Sequence, residues 1–561
     1  MLPLMLMFAC NGPPPEPPQP GGETTLAWSG ECGLQDDGRR VFRLLHVNDT
    51  YRIEGLSDGR GGLARVRTLR RDLEDNCGPV MVTHAGDLLF PSLLSRAFKG
   101  EQMIDVLNML DGDADASDPY FVATFGNHEF DKSSMKYASM VDSRVEQSGF
   151  IWLDTNIEWK SGEAGQPLIS ADNLVDTHTV DLGGVSVGFF SLTADVKVPA
   201  YAQKIDTDYS GIMAAKTAQL RAAGAEVVVA LTHLDARSDV ATLEAISDAK
   251  ARPDVVLGGH NHVAMTLDGG GVSVVKADAD AVSARVVTIR VGVDAAVTVD
   301  APAPTKIGPT EPAADAAVQQ RVDDWLAKYE TAFCGEGVTG CLDERLTVAK
   351  GDLIAEELQI RRYETNVGDW IAQHALDIFA EDGAQLAIVN SGSLRLNQDI
   401  PDGTAVTRQT VEEIFAYPAP MYLLKVKGSV VQQLIDRSIY DWSGSGHFLQ
   451  IAGFAYVHDT DKGTSERPHL LTADGPVPIE PDAEYLLVTG DYLISPEMGD
   501  QDGYTMLSKD MRVESPRDKT DLKDVVIEAM KAAGDEGLSL DLKGRICSTD
   551  RPDDPCLVPP L

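Results

Sequence analysis

Five short polar groups follow apolar runs in the first half of this 561-residue chain: Asp49 in "RLLHVNDTYRIEG", Asp87 in "VMVTHAGDLL", Asn127 and His128 in "YFVATFGNHEF", His233 in "AEVVVALTHLD", and His260 and His262 in "PDVVLGGHNH". Carboxylate, amide and imidazole are the ligand types of a dinuclear metal centre. Such a centre needs one bridging carboxylate and mixed oxygen and nitrogen donors, with the ions roughly 3.5–4 Å apart. Singly each group is weak, because Gly-Asp and Asn-His are common in turns and one histidine after a strand is ordinarily a satisfied side chain. In this order, each behind an apolar run, they point to hydrolytic metal chemistry. Glycines precede Asp87, Asn127 and His260, and the expectation is that they let the backbone turn sharply and present the ligands.

The elements that must carry these groups are short strand-like runs alternating with helical stretches from about residue 40 to 300. Runs ending in Asp, Asn or His predict an α/β (α+β) fold with its site at the carboxyl ends of the strands. "APAPTKIGPTEPAADAAVQQRVDDWLAKYETAF" begins rich in proline and turns helical, as a linker leading into a connecting helix does. A second α/β pattern starts near residue 350, with "GDWIAQHALDIF", "AQLAIVNSGSLR", "MYLLKVKG" and "EYLLVTGDYL".

Lys and Arg number 48 against 87 Asp and Glu, a net charge of −39. That balance argues against nucleic acid and anionic membrane as partners. It leaves small anionic substrates open, since bound cations reverse the field locally. The start, "MLPLMLMFACNGPPPEPPQPGG", has an apolar run ending at Cys10 and then a Pro-rich tether. It reads as an export signal with a lipobox, with Cys10 as the lipid attachment point of a periplasmic or cell-surface lipoprotein. Six further cysteines form an even set without CxxC spacing. Cys334/Cys341 and Cys547/Cys556 are near enough to pair locally, leaving Cys32 for Cys77, one choice among about fifteen connectivities.

The order D-x-(H), GD, GNHEFD, H, GHxH resembles the calcineurin-like metallophosphoesterase domain, and specifically the 5′-nucleotidase family. That resemblance implies a β-sandwich flanked by helices and two divalent ions, Mn, Zn or Fe. The first ion would take Asp49, Asp87 and His262, with Tyr51 where the family has histidine; the second would take Asp87, Asn127, His233 and His260. It also implies that His128 and Asp131 stabilise charge on the phosphoryl group and the leaving group. The second half is similar to the family's substrate-binding domain. "RRYETNVGDWIAQHA" places Arg361 at a phosphate-contacting arginine, and "NSGSLR" supplies Asn390, Gly392 and Arg395. "FAYPAP" and "TGDYLISPEMGDQDGY" put Tyr417 and Tyr492 on either face of a nucleobase and Asp502 at the ribose hydroxyls.

The resemblance divides the chain into a signal and tether (1–37), a catalytic domain (38–305), a linker with connecting helix (306–350), a substrate-binding domain (351–545) and a cysteine-containing tail (546–561). It implies release of phosphate from nucleoside 5′-monophosphates. UDP-sugars, 2′,3′-cyclic nucleotides and thiosulfohydrolase chemistry are alternatives on the same scaffold, and a non-catalytic nucleotide or partner receptor is the alternative from another class. Tyr51 is the departure that matters, because a phenol near pKa 10 is a poor ligand for zinc or manganese. It either ligates iron, stands aside for water, or leaves the first ion weak, and ligand preference favours the second. In "NSGSLR" two serines replace family glycines and either crowd the phosphate or offer it hydroxyls.

Overall fold

The computed structural model describes residues 32–558 apart from 163–164, 441–443, 497–498 and 500–501. Cys10 and the lipobox lie outside the described residues. The first half forms two sheets face to face. One is nine-stranded, with a main path Val297–Asp300, Ser283–Val291, Arg40–Val47, Met81–His84, Phe121–Thr124, Ile151–Leu153 and Leu174–Val175. The other is six-stranded, in the order Met265–Gly269, Val272–Lys276, Val255–Gly258, Val227–His233, Val185–Thr193 and His178–Leu182.

Side-chain alternation along each strand explains the layers. Phe42, Leu44, Met81 and Val122 of the first sheet meet Val187, Phe189, Val229, Leu231 and Val255 of the second in one core. Val41, Leu45, Val82 and Phe121 point the other way, toward helices that include Leu63–Cys77. Phe190, Val228, Ala230 and Val256 point toward Tyr209–Ala222 and Ala236–Ala245. The result is helix, sheet, sheet, helix. Strands apolar on both faces are what buried parallel sheets require, and the central pairings are parallel. Every one of the five ligand groups leaves the carboxyl end of such a strand.

The connecting helix is Ala316–Cys334. Asp315 caps it by accepting from the N–H groups of Ala317 and Val318, and Gly335 ends it at φ 94°. Its buried residues Val318, Val322, Trp325 and Tyr329 recur at helical spacing and join the first-half core, so this helix packs on the catalytic side.

A four-stranded sheet organises the second half: Met421–Lys427, Glu484–Gly490, Leu386–Asn390, Leu449–Ala452. Asn366–Ile378 and Leu522–Ala533 cover one face and Gly428–Ile439 the other. The last segment is more than an extension held by cysteines. Ile546–Ser548 is a strand parallel to Phe454–Asp459, and the Glu364 carboxylate accepts from Arg545 N (2.8 Å) and Ile546 N (3.0 Å). The cysteines pair as Cys32–Cys77, Cys334–Cys341 and Cys547–Cys556.

Candidate active site

The ligand groups converge, and their backbone is strained to do it. Asp49 (φ 52°), Asp87 (57°), His260 (77°) and His262 (60°) all occupy the left-handed region, at a cost of order 1–2 kcal/mol each. Surrounding bonds hold them there. Asp49 Oδ2 accepts from Asn48 Nδ2 (2.7 Å) and His260 N (2.9 Å). Asp87 Oδ1 accepts from His128 N (2.7 Å). Glu129, to which the sequence assigns no role, clamps the Asp87 loop: its carboxylate accepts from the N–H groups of Asp87, Leu88, Leu89 and Gly126 at 2.6–2.9 Å. Burial and the charge of Asp87 push its pKa up to about 7, against the pull of those donors.

The glycines do something other than expected at two of three positions. Gly86 turns the chain at φ 85°. Gly126 and Gly259 instead make room. A Cβ on Gly259 would stand 2.7 Å from Ala85 O and 2.9 Å from Asp49 Oδ2, and one on Gly126 would run into Asp87 Oδ1. The ligand residues themselves take the strained turns.

Donor spacing tests whether ions fit. Ligand atoms sharing an ion with bonds near 2.1 Å stand roughly 3.0–3.4 Å apart. On one side Asn127 Oδ1 is 3.0 Å from both His233 Nε2 and His260 Nδ1, and His233 Nε2 is 3.3 Å from Asp87 Oδ2. His233 Nδ1 is 2.6 Å from Ala85 O, which places the ring proton there and frees Nε2. On the other side His262 Nε2 is 3.4 Å from Asp49 Oδ1. Both halves have the spacing of a coordination shell. Asp49, Asp87 and His233 can each bring one ligand atom within 4.8 Å of the others.

Tyr51 points into the frame. Its hydroxyl is 3.2 Å from Asp49 Oδ1, 3.0 Å from Asp87 Oδ2 and 2.8 Å from His262 Nε2. Burial first, then the charges of Asp87 and Asp49, hold the phenol well above its ordinary pKa. Two other histidines border the motifs without joining them. His46 is buried on Thr83 Oγ1 and Gly258 O, and His84 on Thr50 Oγ1. Burial drives their pKa down to about 4 and about 3, so both are neutral.

His128 Nδ1 is 3.0 Å from Asp131 Oδ1. Burial opposes charge on this ring, but the carboxylates of Asp131 and Asp87 outweigh it and raise its pKa. Side chains from the second half close over the pair. Arg395, which donates to Gly392 O at 2.7 Å, brings Nη2 within 3.3 Å of His128 Nε2, and Tyr417 Oη donates to Asp131 Oδ2. Among the described residues Arg361 Nε and Arg395 Nη1 are buried without a hydrogen-bond partner, cationic donors in want of an anion. Tyr492 and Asp502 stand near each other and the same arginines, and burial raises the pKa of both. Asn390 ends the strand leading into this loop. The serines neither crowd nor offer donors. Ser391 Oγ donates to Ile360 O (2.6 Å) and Ser393 Oγ to Asn390 O (2.7 Å).

Lys276 carried no sequence signal, as one lysine ending an apolar strand. It is 1% exposed, and its ammonium reaches Leu234 O (2.6 Å), Gly259 O (2.8 Å), Asn261 Oδ1 (2.8 Å) and Asp239 Oδ2 (2.8 Å). It therefore ties the loops that follow His233 and flank His260. Lys276→Met leaves the Asp239 carboxylate buried and alone, and is expected to lower unfolding stability by about 3–5 kcal/mol. Urea denaturation measures this; an unchanged midpoint would show the ammonium to be dispensable.

A family model described as calcineurin-like phosphoesterase matches residues 42–264, and one described as 5′-nucleotidase, C-terminal domain, matches residues 346–509. The 5′-nucleotidase of Rattus norvegicus is 23% identical over 519 residues, 83% of this chain and 84% of that protein. Among solved structures, the 5′-nucleotidase precursor of Thermus thermophilus aligns with a TM-score of 0.74 at 21% identity over 91% of this chain and 100% of that one. The sulfate thiohydrolase SoxB of the same species, in complex with glycerol, aligns with a TM-score of 0.66 at 14% identity over 91% and 97%. At these identities the structural likeness speaks for the fold.

Proposed function

Because this chain belongs to the 5′-nucleotidase family, joining a calcineurin-like phosphoesterase domain to a 5′-nucleotidase C-terminal domain, we propose that it is an exported, metal-dependent phosphohydrolase that releases phosphate from nucleoside 5′-monophosphates. The observation that carries this reading is the meeting of two ligand sets, spaced for two ions, with buried donors of Arg361 and Arg395 that have no hydrogen-bond partner among the described residues. Two divalent ions there would supply Lewis acidity and lower the pKa of a water.

The protein's own groups do the rest. Arg361 and Arg395 donate to phosphoryl oxygens, a geometry that guanidinium forks suit. His128, held cationic by Asp131, donates through Nε2 where negative charge builds or the leaving oxygen needs a proton. Tyr417 and Tyr492 offer rings to a base, and Asp502 accepts from the ribose diol. The three disulfides suit an oxidising compartment, and a lipid on Cys10 would anchor the protein there.

Tyr51 is proposed as a fourth donor to the first ion, since its oxygen already sits at ligand spacing from three others. An anionic oxygen favours a harder ion than imidazole does. Tyr51→Phe is expected to weaken that ion by about tenfold or more, and Tyr51→His to shift preference from iron toward zinc. Chelator competition reads both. Equal affinity in Tyr51→Phe would return the position to water.

The test of function is phosphate release from AMP by metal-stripped protein reconstituted with manganese, zinc or iron, alongside UDP-glucose and 2′,3′-cyclic AMP. Metal-dependent turnover of AMP in preference to both is expected. Preference for either of the others would replace the substrate, and binding of AMP without turnover of any ester would make the protein a receptor.

A further inference from the structure

One carboxylate of the second half reaches the metal frame of the first. Glu357, 6% exposed, opens the short helix Glu357–Ile360, and its Oε1 is 2.7 Å from His262 Nδ1 and 2.6 Å from Arg361 Nη2. His262 presents its other nitrogen, Nε2, to Tyr51 Oη at 2.8 Å and Asp49 Oδ1 at 3.4 Å. With Nδ1–H donating to Glu357, Nε2 keeps the lone pair that a metal ligand needs. His233 gets the matching contact from its own half, through Ala85 O. His262, on strained backbone at φ 60°, gets it from 95 residues away.

That contact exists only while the two halves are docked. Arg52 donates through Nη2 to Arg395 O (2.5 Å), while its Nε faces Asp280 (3.8 Å) and its Nη1 faces Glu413 (3.7 Å). Asn397 Nδ2 donates to Asp280 Oδ2 (2.9 Å), and Arg96 pairs with Glu412 (3.2 Å). We propose that Glu357 is a positioning residue that completes the first metal position from across this boundary, so that retention of that ion depends on docking of the two halves. The same oxygen also holds Arg361, so the metal ligand and the phosphate-facing arginine share one anchor. This role rests on the metallohydrolase reading above.

The experiment counts manganese ions per chain in the full-length protein, equilibrated against graded chelator, for wild type, Glu357→Ala, Glu357→Gln and Arg52→Ala. In Glu357→Ala one of two ions is expected to need about 10–100-fold more free manganese, while the other is unchanged. Glu357→Gln, whose amide oxygen still accepts from Nδ1–H, falls between. Arg52→Ala removes docking contacts but no ligand, and is expected to loosen the same ion. Turnover of Glu357→Ala rises as manganese is raised, though short of wild type because Arg361 has lost its anchor, whereas a packing defect would leave it flat. Two ions held at wild-type affinity by Glu357→Ala, or both lost together, overturn the proposal; an unaffected Arg52→Ala overturns its dependence on docking. Ion counting does not use turnover. Wild-type protein that binds two ions but hydrolyses no nucleotide sinks the proposed function and leaves this role standing.

Discussion

Asp87→Asn is expected to lower kcat for nucleotide hydrolysis by at least about 10³-fold, the scale on which shared metal charge stabilises a phosphoryl transition state. Asp87 stands at ligand spacing from both halves of the frame, 3.3 Å from His233 Nε2 and 3.0 Å from Tyr51 Oη. It is 1% exposed, and burial disfavours its charge, yet His233 and His128 hold its carboxyl well below the usual range. An amide of the same size keeps the packing but gives up the negative charge that two cations would share. The variant is therefore expected to fold, to bind fewer than two ions per chain by elemental analysis, and to stay inactive at saturating metal. Two ions retained with kcat within about tenfold of wild type would end the bridging role, because loss of a shared charge cannot be so mild.

Much of the fold was legible because the strands are apolar on both faces. "RLLHV", "VVVALTH" and "VVLGG" leave no polar side for solvent, so they read as central strands, and the residue that breaks each run marks the strand end. The ligand groups were legible for the same reason. What was not legible lies in contacts between distant segments. Glu357 stands four residues before Arg361 and looks like an i,i+4 surface pair until His262 arrives beside it. Lys276 reads as a solvated strand end, although its ammonium is enclosed by loops that follow two other strands. The direction of Tyr51 depends on Asp87 and His262, 36 and 211 residues away. The serines of "NSGSLR" could have crowded the site, and only the position of Ile360 O shows where Ser391 points. Local pattern assigns a residue to a strand end; which neighbour its side chain meets is a property of the tertiary packing.

His128→Ala tests the chemistry apart from the metals, with kcat expected to fall about 10²–10³-fold. Asp87 is held by the backbone N–H of His128, at 2.7 Å, and that contact survives truncation of the ring. Metal content is thus expected to match wild type, unlike that of Asp87→Asn. The pH dependence follows from the ring's surroundings. Its pKa lies above the ordinary imidazole value, because Asp131 and Asp87 outweigh burial. The cationic form is complete below that pKa and is lost as pH rises through it, so activity that needs the cation declines on the alkaline side. Asp131→Asn removes the foremost raising charge, and is expected to move that alkaline limb down by about one pH unit or more. Tyr417→Phe removes a donor from Asp131 Oδ2 and leaves the carboxylate with its charge more fully on His128, so its limb is expected to stay or move up. The parting of the two limbs separates a charge effect from general damage, which would lower kcat in both without parting the two profiles. Limbs that coincide in Asp131→Asn, Tyr417→Phe and wild type would mean that the titrating group is not His128.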